Sequence, residues 1–204
     1  MTLRLDHIAI SAATLAEGVA TVEAALGVTM AGGGEHPLMG THNRLLSLGD
    51  LYLEVIAINP DAPPPGRPRW FDLDHFTGPP RLTNWIAACD DLDAALATAP
   101  PGTGTPLSLA RGDYRWQMAV PETGRLPYDN LFPALIRWQG ALHPAAALPD
   151  SGCRLARLTV SHPQAPALRT ALGALAEDPR LRFATGPTGL SAQIDTPQGP
   201  RALP

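Results

Sequence analysis

Apolar and polar side chains share the run LRLDHIAIS at 3–11, rich in apolar and β-branched residues, which predicts a strand. Alternation places Leu3, Leu5, His7, Ala9 and Ser11 on one face and Arg4, Asp6, Ile8 and Ile10 on the other. The next stretch, 14–27, changes period. Leu15, Val19, Val22 and Leu26 recur at spacings of three and four, as on one face of a helix. Thr14, with Glu17 three residues on, has the pattern of a capping box, and Gly27 stands where a C-terminal glycine belongs. Three further strands are expected at 28–31, 43–48 and 51–58, with turns at Gly32-Gly33-Gly34 and Gly49-Asp50. The unit reads β-α-β-β-β.

The pattern then repeats. A proline-rich connector, 59–80, leads to a strand at 81–89, a short helix at 92–98 behind Asp90-Asp91, and strands at 105–110, 114–120 and 133–138. A third, partial copy starts at Cys153, with a strand, a helix at 165–176, and strands at 181–185 and 189–196. The expected architecture is α+β, with two full βαβββ modules (3–58 and 81–140) in a domain spanning 1–145. A partial βαββ module occupies 150–204. The helix stripe Ala167, Leu168, Ala171, Leu172 and Leu175 needs somewhere to pack. It can dock on its own chain or pair with its copy; a homodimer is expected, because it completes an odd module count most simply.

Composition adds exclusions. Lys plus Arg number 15 against 19 Asp plus Glu, a formal charge of −4, with no block of like charge. Neither a nucleic-acid surface nor an anionic-membrane surface is predicted. No apolar run approaches a membrane span of roughly 18 residues. Two cysteines, Cys89 and Cys153, are too few for a disulfide framework and fit a reducing compartment, so the cytoplasm is expected. Gly and Pro number 19 and 23 and cluster between apolar runs, where they act as turns rather than a low-complexity tail.

LDHIAIS, a capped helix, and LYLEVIAI resemble the first module of the vicinal-oxygen-chelate superfamily. The segments MGTHNRLLSLGDLYLEVIAINPDAP, RWQMAVP, LIRW…HP and GCRLARLTVSHP…GLSAQIDTPQGP resemble its glyoxalase-like branch. The resemblance implies two modules curled into an eight-stranded cup holding one divalent ion, be it zinc, nickel, manganese, iron or magnesium. It puts the first-module ligands at His7 and Glu54, which are also the candidate catalytic pair. The alternative for His7 is a cup-lining histidine hydrogen-bonded to Glu54, whose raised pKa would serve acid–base chemistry without a metal. The second module departs from the pattern. Asn84 stands where a histidine is expected and is a ligand-binding candidate, facing the cup and able to coordinate weakly through its carbonyl oxygen, whereas Ala134, Leu135, Ile136 and Arg137 offer no carboxylate.

Other ligand-binding candidates are His42 or Asn43, which point to opposite faces of a strand, and Trp70, Arg115 and Trp116, as aromatic wall and carboxylate clamp. His36 and His75 are expected in exposed loops, and His143 and His162 at turns or strand ends. This superfold hosts many chemistries. Two functions stay open: a metal-assisted lyase or isomerase of a small oxygenated substrate, and a metal-free small-molecule binding or sequestering protein.

Overall fold

The computed structural model describes residues 2–203. The first module runs β1 (Leu3–Ser11), α1 (Leu15–Leu26), β2 (Ala31–His36), β3 (Thr41–Ser47) and β4 (Tyr52–Ile58). The second runs β5 (Arg81–Cys89), α2 (Leu92–Leu96), β6 (Thr105–Arg111), β7 (Tyr114–Val120) and β8 (Ala134–Gln139). They form one eight-stranded sheet in the order β2-β3-β4-β1-β5-β8-β7-β6. Within each module the first strand lies parallel to the last, and β1 pairs antiparallel with β5 to join the two. The sheet curls until its edge strands β2 and β6 meet. Gly34 makes that approach possible: a Cβ there would lie 3.0 Å from the Arg111 side chain.

Helix caps follow the sequence pattern. Thr14 accepts the Glu17 N–H at 3.2 Å, and Gly27 closes α1 at φ 69° with its N–H on the Glu23 carbonyl. The second strand differs from expectation. It begins at Ala31 rather than Val28, and the three glycines lie inside it. A bulge between Ala31 and Gly34 accommodates them, and at Gly33 a Cβ would sit 2.2 Å from the Asn43 carbonyl oxygen.

Two apolar cores lie on the two faces of the sheet. Inside the cup are Ala9, Ile56, Trp70, Phe71, Ile86, Leu109, Trp116, Met118, Ala134 and Ile136. Outside, Ile8, Ile10, Leu53, Val55, Trp85 and Leu135 pack with Val22, Leu26 and Leu92 of the helices.

The third unit is β9 (Arg154–Ser161), α4 (Ala165–Leu172), β10 (Leu181–Ala184), β11 (Gly189–Thr196) and an unforeseen β12 (Gly199–Leu203); a short α3 (Pro144–Ala147) precedes it. Its pairing is not that of the other modules. The order is β10-β9-β11-β12, so β9 lies between its parallel neighbour β10 and antiparallel β11. The helix expected over 165–176 ends at Leu172, where Gly173 (φ 55°, ψ −130°) turns the chain into a 3₁₀ segment. Leu168, Leu172 and Leu175 are buried, Ala171 is half-buried, and Ala167 is exposed. These leucines join Leu155, Leu158, Val160, Leu190 and Ile194 in the same core as the convex face of the cup. The stripe thus packs within its own chain, which removes the ground for expecting a homodimer; the oligomeric state is a matter for sedimentation. Among the described residues no helix is long and apolar enough to cross a membrane.

Leu168→Ala is expected to cost about 2–5 kcal/mol, read by urea denaturation as one shifted transition for the whole chain. An early separate transition would mean the third unit unfolds alone. Sedimentation at micromolar concentration is expected to give the mass of a single chain.

Candidate functional site

Strand β1 does not alternate throughout. Its register against β5 slips between Leu5 and His7, leaving Asp6 as the extra residue. Asp6, assigned by simple alternation to the face opposite His7, therefore contacts it: His7 Nδ1 lies 2.5 Å from Asp6 Oδ1. The other Asp6 oxygen accepts from Trp138 Nε1 and His143 Nε2, each at 3.0 Å. His143 also accepts the Ala145 N–H on Nδ1 at 3.2 Å, so its proton sits on Nε2. Three donors therefore hold the buried Asp6 carboxylate, and they keep its pKa well below the usual range despite the opposing effect of burial.

The far side of the His7 ring faces Glu54. His7 Nε2 and Glu54 Oε2 are 3.6 Å apart, both side chains buried. Glu54 alternates with Tyr52 and Ile56 into the cup, and Tyr52 stacks on His7 with ring centroids 4.2 Å apart. Asn43 donates to Glu54 Oε1 at 2.5 Å and accepts the Gly34 N–H at 3.0 Å. Its amide orientation is thereby set, and its Nδ2 also approaches His36 Nε2 at 3.4 Å. The His36 nitrogen on that side is thus the unprotonated one, while Nδ1–H donates to Thr41 at 3.1 Å.

Burial opposes charge on all these groups, and their partners decide the outcome. Burial pushes Glu54 up, but the His7 hydrogen bond and charge prevail and hold it at about 2. Burial pulls His7 down, but Asp6 and then Glu54 overcome it, so His7 is raised. His36 has no such contact, and burial lowers it to about 4. The two carboxylates thus favour the imidazolium form of His7, whereas burial favours the neutral ring of His36.

These groups line a cavity of about 20 Å³, room for one water-sized occupant. Its other walls are Trp70, Phe71, Arg111, Trp116, Met118, Ile136 and Trp138. Of the residues expected at the site, His7, Glu54, Trp70 and Trp116 line it, and Asn43 buttresses Glu54. His42 does not: it lies on the other face of β3, with its Nε2 sealed and unpartnered. Arg115 turns outward and donates to the Gly112 and Tyr114 carbonyls. Asn84 is buried beside Ala9, but exchanges amide hydrogen bonds with Asn130 at 3.2 and 3.3 Å and is not part of the cavity wall. His36 is not in an exposed loop: it is 3% exposed at the end of β2. His143 holds Asp6, and His162 is buried against Asp129. Arg111, Asp6, His36, Tyr52 and Trp138 were not singled out from the sequence. Alternation carried a signal for Arg111, since it follows Leu107 and Leu109 on the cup face of β6, whereas Arg115 is out of phase with Trp116.

A family model described as glyoxalase-like domain matches residues 5–176. The chain belongs to the glyoxalase-like domain family. No curated protein matches it. A crystal structure of a hypothetical protein from Staphylococcus aureus is similar over 98% of this chain and 93% of that one, at 13% identity and TM-score 0.67. This likeness shows the fold, third unit included. A Streptomyces coelicolor methylmalonyl-CoA epimerase, in complex with 2-nitronate-propionyl-CoA, matches 67% of this chain and 98% of its own at 17% identity and TM-score 0.44.

In this glyoxalase-like domain the second module offers a metal little. Ala134 and Ile136 pack inside the cup, Leu135 lies in the outer core, and Arg137 is exposed. Among the described residues no three of His, Cys, Asp or Glu come together around a point that could hold an ion. A catalytic zinc ordinarily takes three protein ligands; His7 and Glu54 are two, and Asn43 already occupies one Glu54 oxygen. The donor set does not fit a permanently held divalent ion.

Nitrogen NMR is expected to show His7 protonated above pH 6.5, its ordinary value, and Glu54→Gln to move that titration down. The His7 contribution to stability is full below pH 6.5 and is lost as pH rises through the folded value. His36 has the opposite sign. Between about 6.5 and 4 the unfolded chain binds the extra proton, so stability falls as pH drops through that window. His36→Gln should flatten that part of the denaturation-versus-pH curve.

Proposed function

We propose that the chain is an enzyme of lyase or isomerase type that moves a proton next to a carbonyl of a small oxygenated substrate without a resident metal. One observation carries this reading: His7 Nε2 and Glu54 Oε2 face each other at 3.6 Å in a buried, partly open cavity, with Asp6 fixing the ring from behind. A substrate carbonyl oxygen docked against Nε2 from the cavity side takes the His7 Nε2 proton. Glu54 Oε2 takes the proton on the adjacent carbon, whose C–H electrons form the double bond of an enol. Return of a proton to carbon and of the enol proton to His7 completes an isomerisation; loss of a leaving group from the next carbon makes it an elimination. Glu54 is a weak base only while His7 is charged. Once the His7 proton moves to substrate, the buried carboxylate regains basicity. Asp6 stays ionised throughout and keeps the neutral ring in its Nδ1–H form. The reading assigns catalysis to His7 and Glu54 and positioning to Asp6 and Asn43. The buried free thiols of Cys89 and Cys153 fit a reducing compartment such as the cytoplasm.

The aromatic lining of Trp70, Phe71, Trp116 and Trp138 favours a second reading, a metal-free binding protein. Proton NMR in D₂O separates them. A panel of small 2-oxo and 3-oxo compounds is incubated with the protein and followed for loss of the exchangeable C–H signal. The enzyme is expected to exchange at least one member, with EDTA making no difference, and His7→Gln and Glu54→Gln should slow exchange roughly 100-fold or more. Abolition by EDTA would restore a metal-assisted mechanism. Ligand-raised melting temperatures without any exchange would favour the binding protein.

A further inference from the structure

Two residues of the cavity lining carry hydrogen-bond donors that nothing in the protein accepts. Trp70 and Trp116 are each 4% exposed, line the cavity, and have buried indole N–H groups without a partner. Leaving such a donor buried and unpaired costs about 1–3 kcal/mol, and two of them border one small space. Arg111 lines the same space. Among the described residues its guanidinium has no ion pair and lies over the Tyr114 ring, 5.4 Å from the centroid. Most other arginines lie against acceptors: Arg4 on Asp90, Arg69 on Asp74, Arg154 on Asp150 and Arg180 on Asp178 and Asp50.

We infer that Arg111, with the indole N–H groups of Trp70 and Trp116, forms a carboxylate-binding subsite, and that the ligand is a small 2-oxo or 2-hydroxy acid. The inference rests on the reading of His7 and Glu54 as the reacting end of the same cavity. A monoanion satisfies what the donors lack. A fork of guanidinium N–H groups matches the two oxygens of a carboxylate, and an indole N–H can only donate. Glu54 lines the same cavity and Asp6 lies behind the His7 ring, so a ligand anion is drawn to the Arg111 guanidinium and repelled by the two carboxylates. This fixes its direction: carboxylate to Arg111, the neighbouring carbonyl or hydroxyl oxygen to His7. Size follows from the same cavity. About 20 Å³ holds one water-sized group and the pocket is partly open, so only a small acid, with the rest of it in the mouth, can be seated. Gly34 is part of the device, because any side chain there would press on the aliphatic part of Arg111 at 3.0 Å.

The test is a thermal-shift and calorimetric titration of the full chain with pyruvate, lactate and oxalate, set against pyruvamide, which keeps the shape and loses the charge. Pyruvate or lactate is expected to raise the melting temperature and pyruvamide not to. Arg111→Gln should weaken the acid at least 10-fold, with Arg111→Lys between the two, as a charged donor contributes about 1.5–3 kcal/mol. Gly34→Ala should weaken it in the same direction while leaving the fold intact by circular dichroism. Equal responses to pyruvate and pyruvamide, no response to any of the acids, or unchanged binding by Arg111→Gln would overturn the subsite. Acid bound through Arg111 without C–H exchange in D₂O would leave the subsite standing and remove the enzymatic reading.

Discussion

The site depends on one irregularity, the bulge in β1 between Leu5 and His7. β1 is the strand on which the two modules meet, parallel to β4 on one side and antiparallel to β5 on the other. A regular strand there would send Asp6 into the outer core among Ile8, Val22 and Leu53, where a carboxylate would have no partner. The extra residue instead turns two consecutive polar side chains toward the cup. His7 then gains a second carboxylate behind it, which makes a lone buried imidazole into an oriented, charged one.

Charge balance explains why such a cluster can be buried at all. An isolated carboxylate or imidazolium in a dry interior would shift its pKa until it was neutral. Here Asp6 has three donors, Glu54 has Asn43 and His7, and the imidazolium has both carboxylates. Two negative charges and one positive leave the cluster one unit negative, and the Arg111 guanidinium lines the same cavity. Removing one member therefore costs more than the contact itself, since its partner stays buried and uncompensated. The same arithmetic separates His36 from His7: similar burial, no carboxylate in contact, and a neutral ring.

Much of the fold was legible because period and punctuation agree. The capped α1, the alternation of Tyr52, Glu54 and Ile56, and the repeat of β-α-β-β-β across 3–58 and 81–140 all come from local pattern. His7 and Glu54 could be paired once the module was recognised. Asp6 could not, because a bulge leaves no mark in LRLDHIAIS: simple alternation groups Leu3 and Leu5 with His7 and Ala9, whereas these leucines belong to the outer core. His36 was hidden by the glycines before it, which suggest a loop but form a bulged edge strand. The third unit misled for a different reason. Its element order matches a truncated module, whereas strand order is decided by which apolar face must be covered, and β9 ends up inside its sheet rather than at an edge.

The cavity is walled in part by the connector, from which sequence reading singles out only Trp70 for ligand binding. Residues 70–75 form a 3₁₀ turn that drops Trp70 and Phe71 into the cup, with Phe71 and Asp72 at φ 62° and 58°. The loop beneath, Tyr128 to Asn130, is also left-handed at all three residues. For non-glycine residues this conformation costs on the order of 1–2 kcal/mol each, so neither loop holds its shape alone. They hold each other. Asp72 donates its N–H to the Gly124 carbonyl at 2.9 Å, and Asn130 reaches both the Phe71 carbonyl and Asn84. Gly124 has no substitute at this junction, since a Cβ there would meet the Arg69 carbonyl oxygen at 2.0 Å. Asn84 thus occupies the position where a metal ligand was expected, and it anchors the plug instead. In this chain the second module closes the cup and supplies much of the cavity wall, Arg111, Trp116, Met118, Ile136 and Trp138, while the buried His7–Glu54 pair comes from the first.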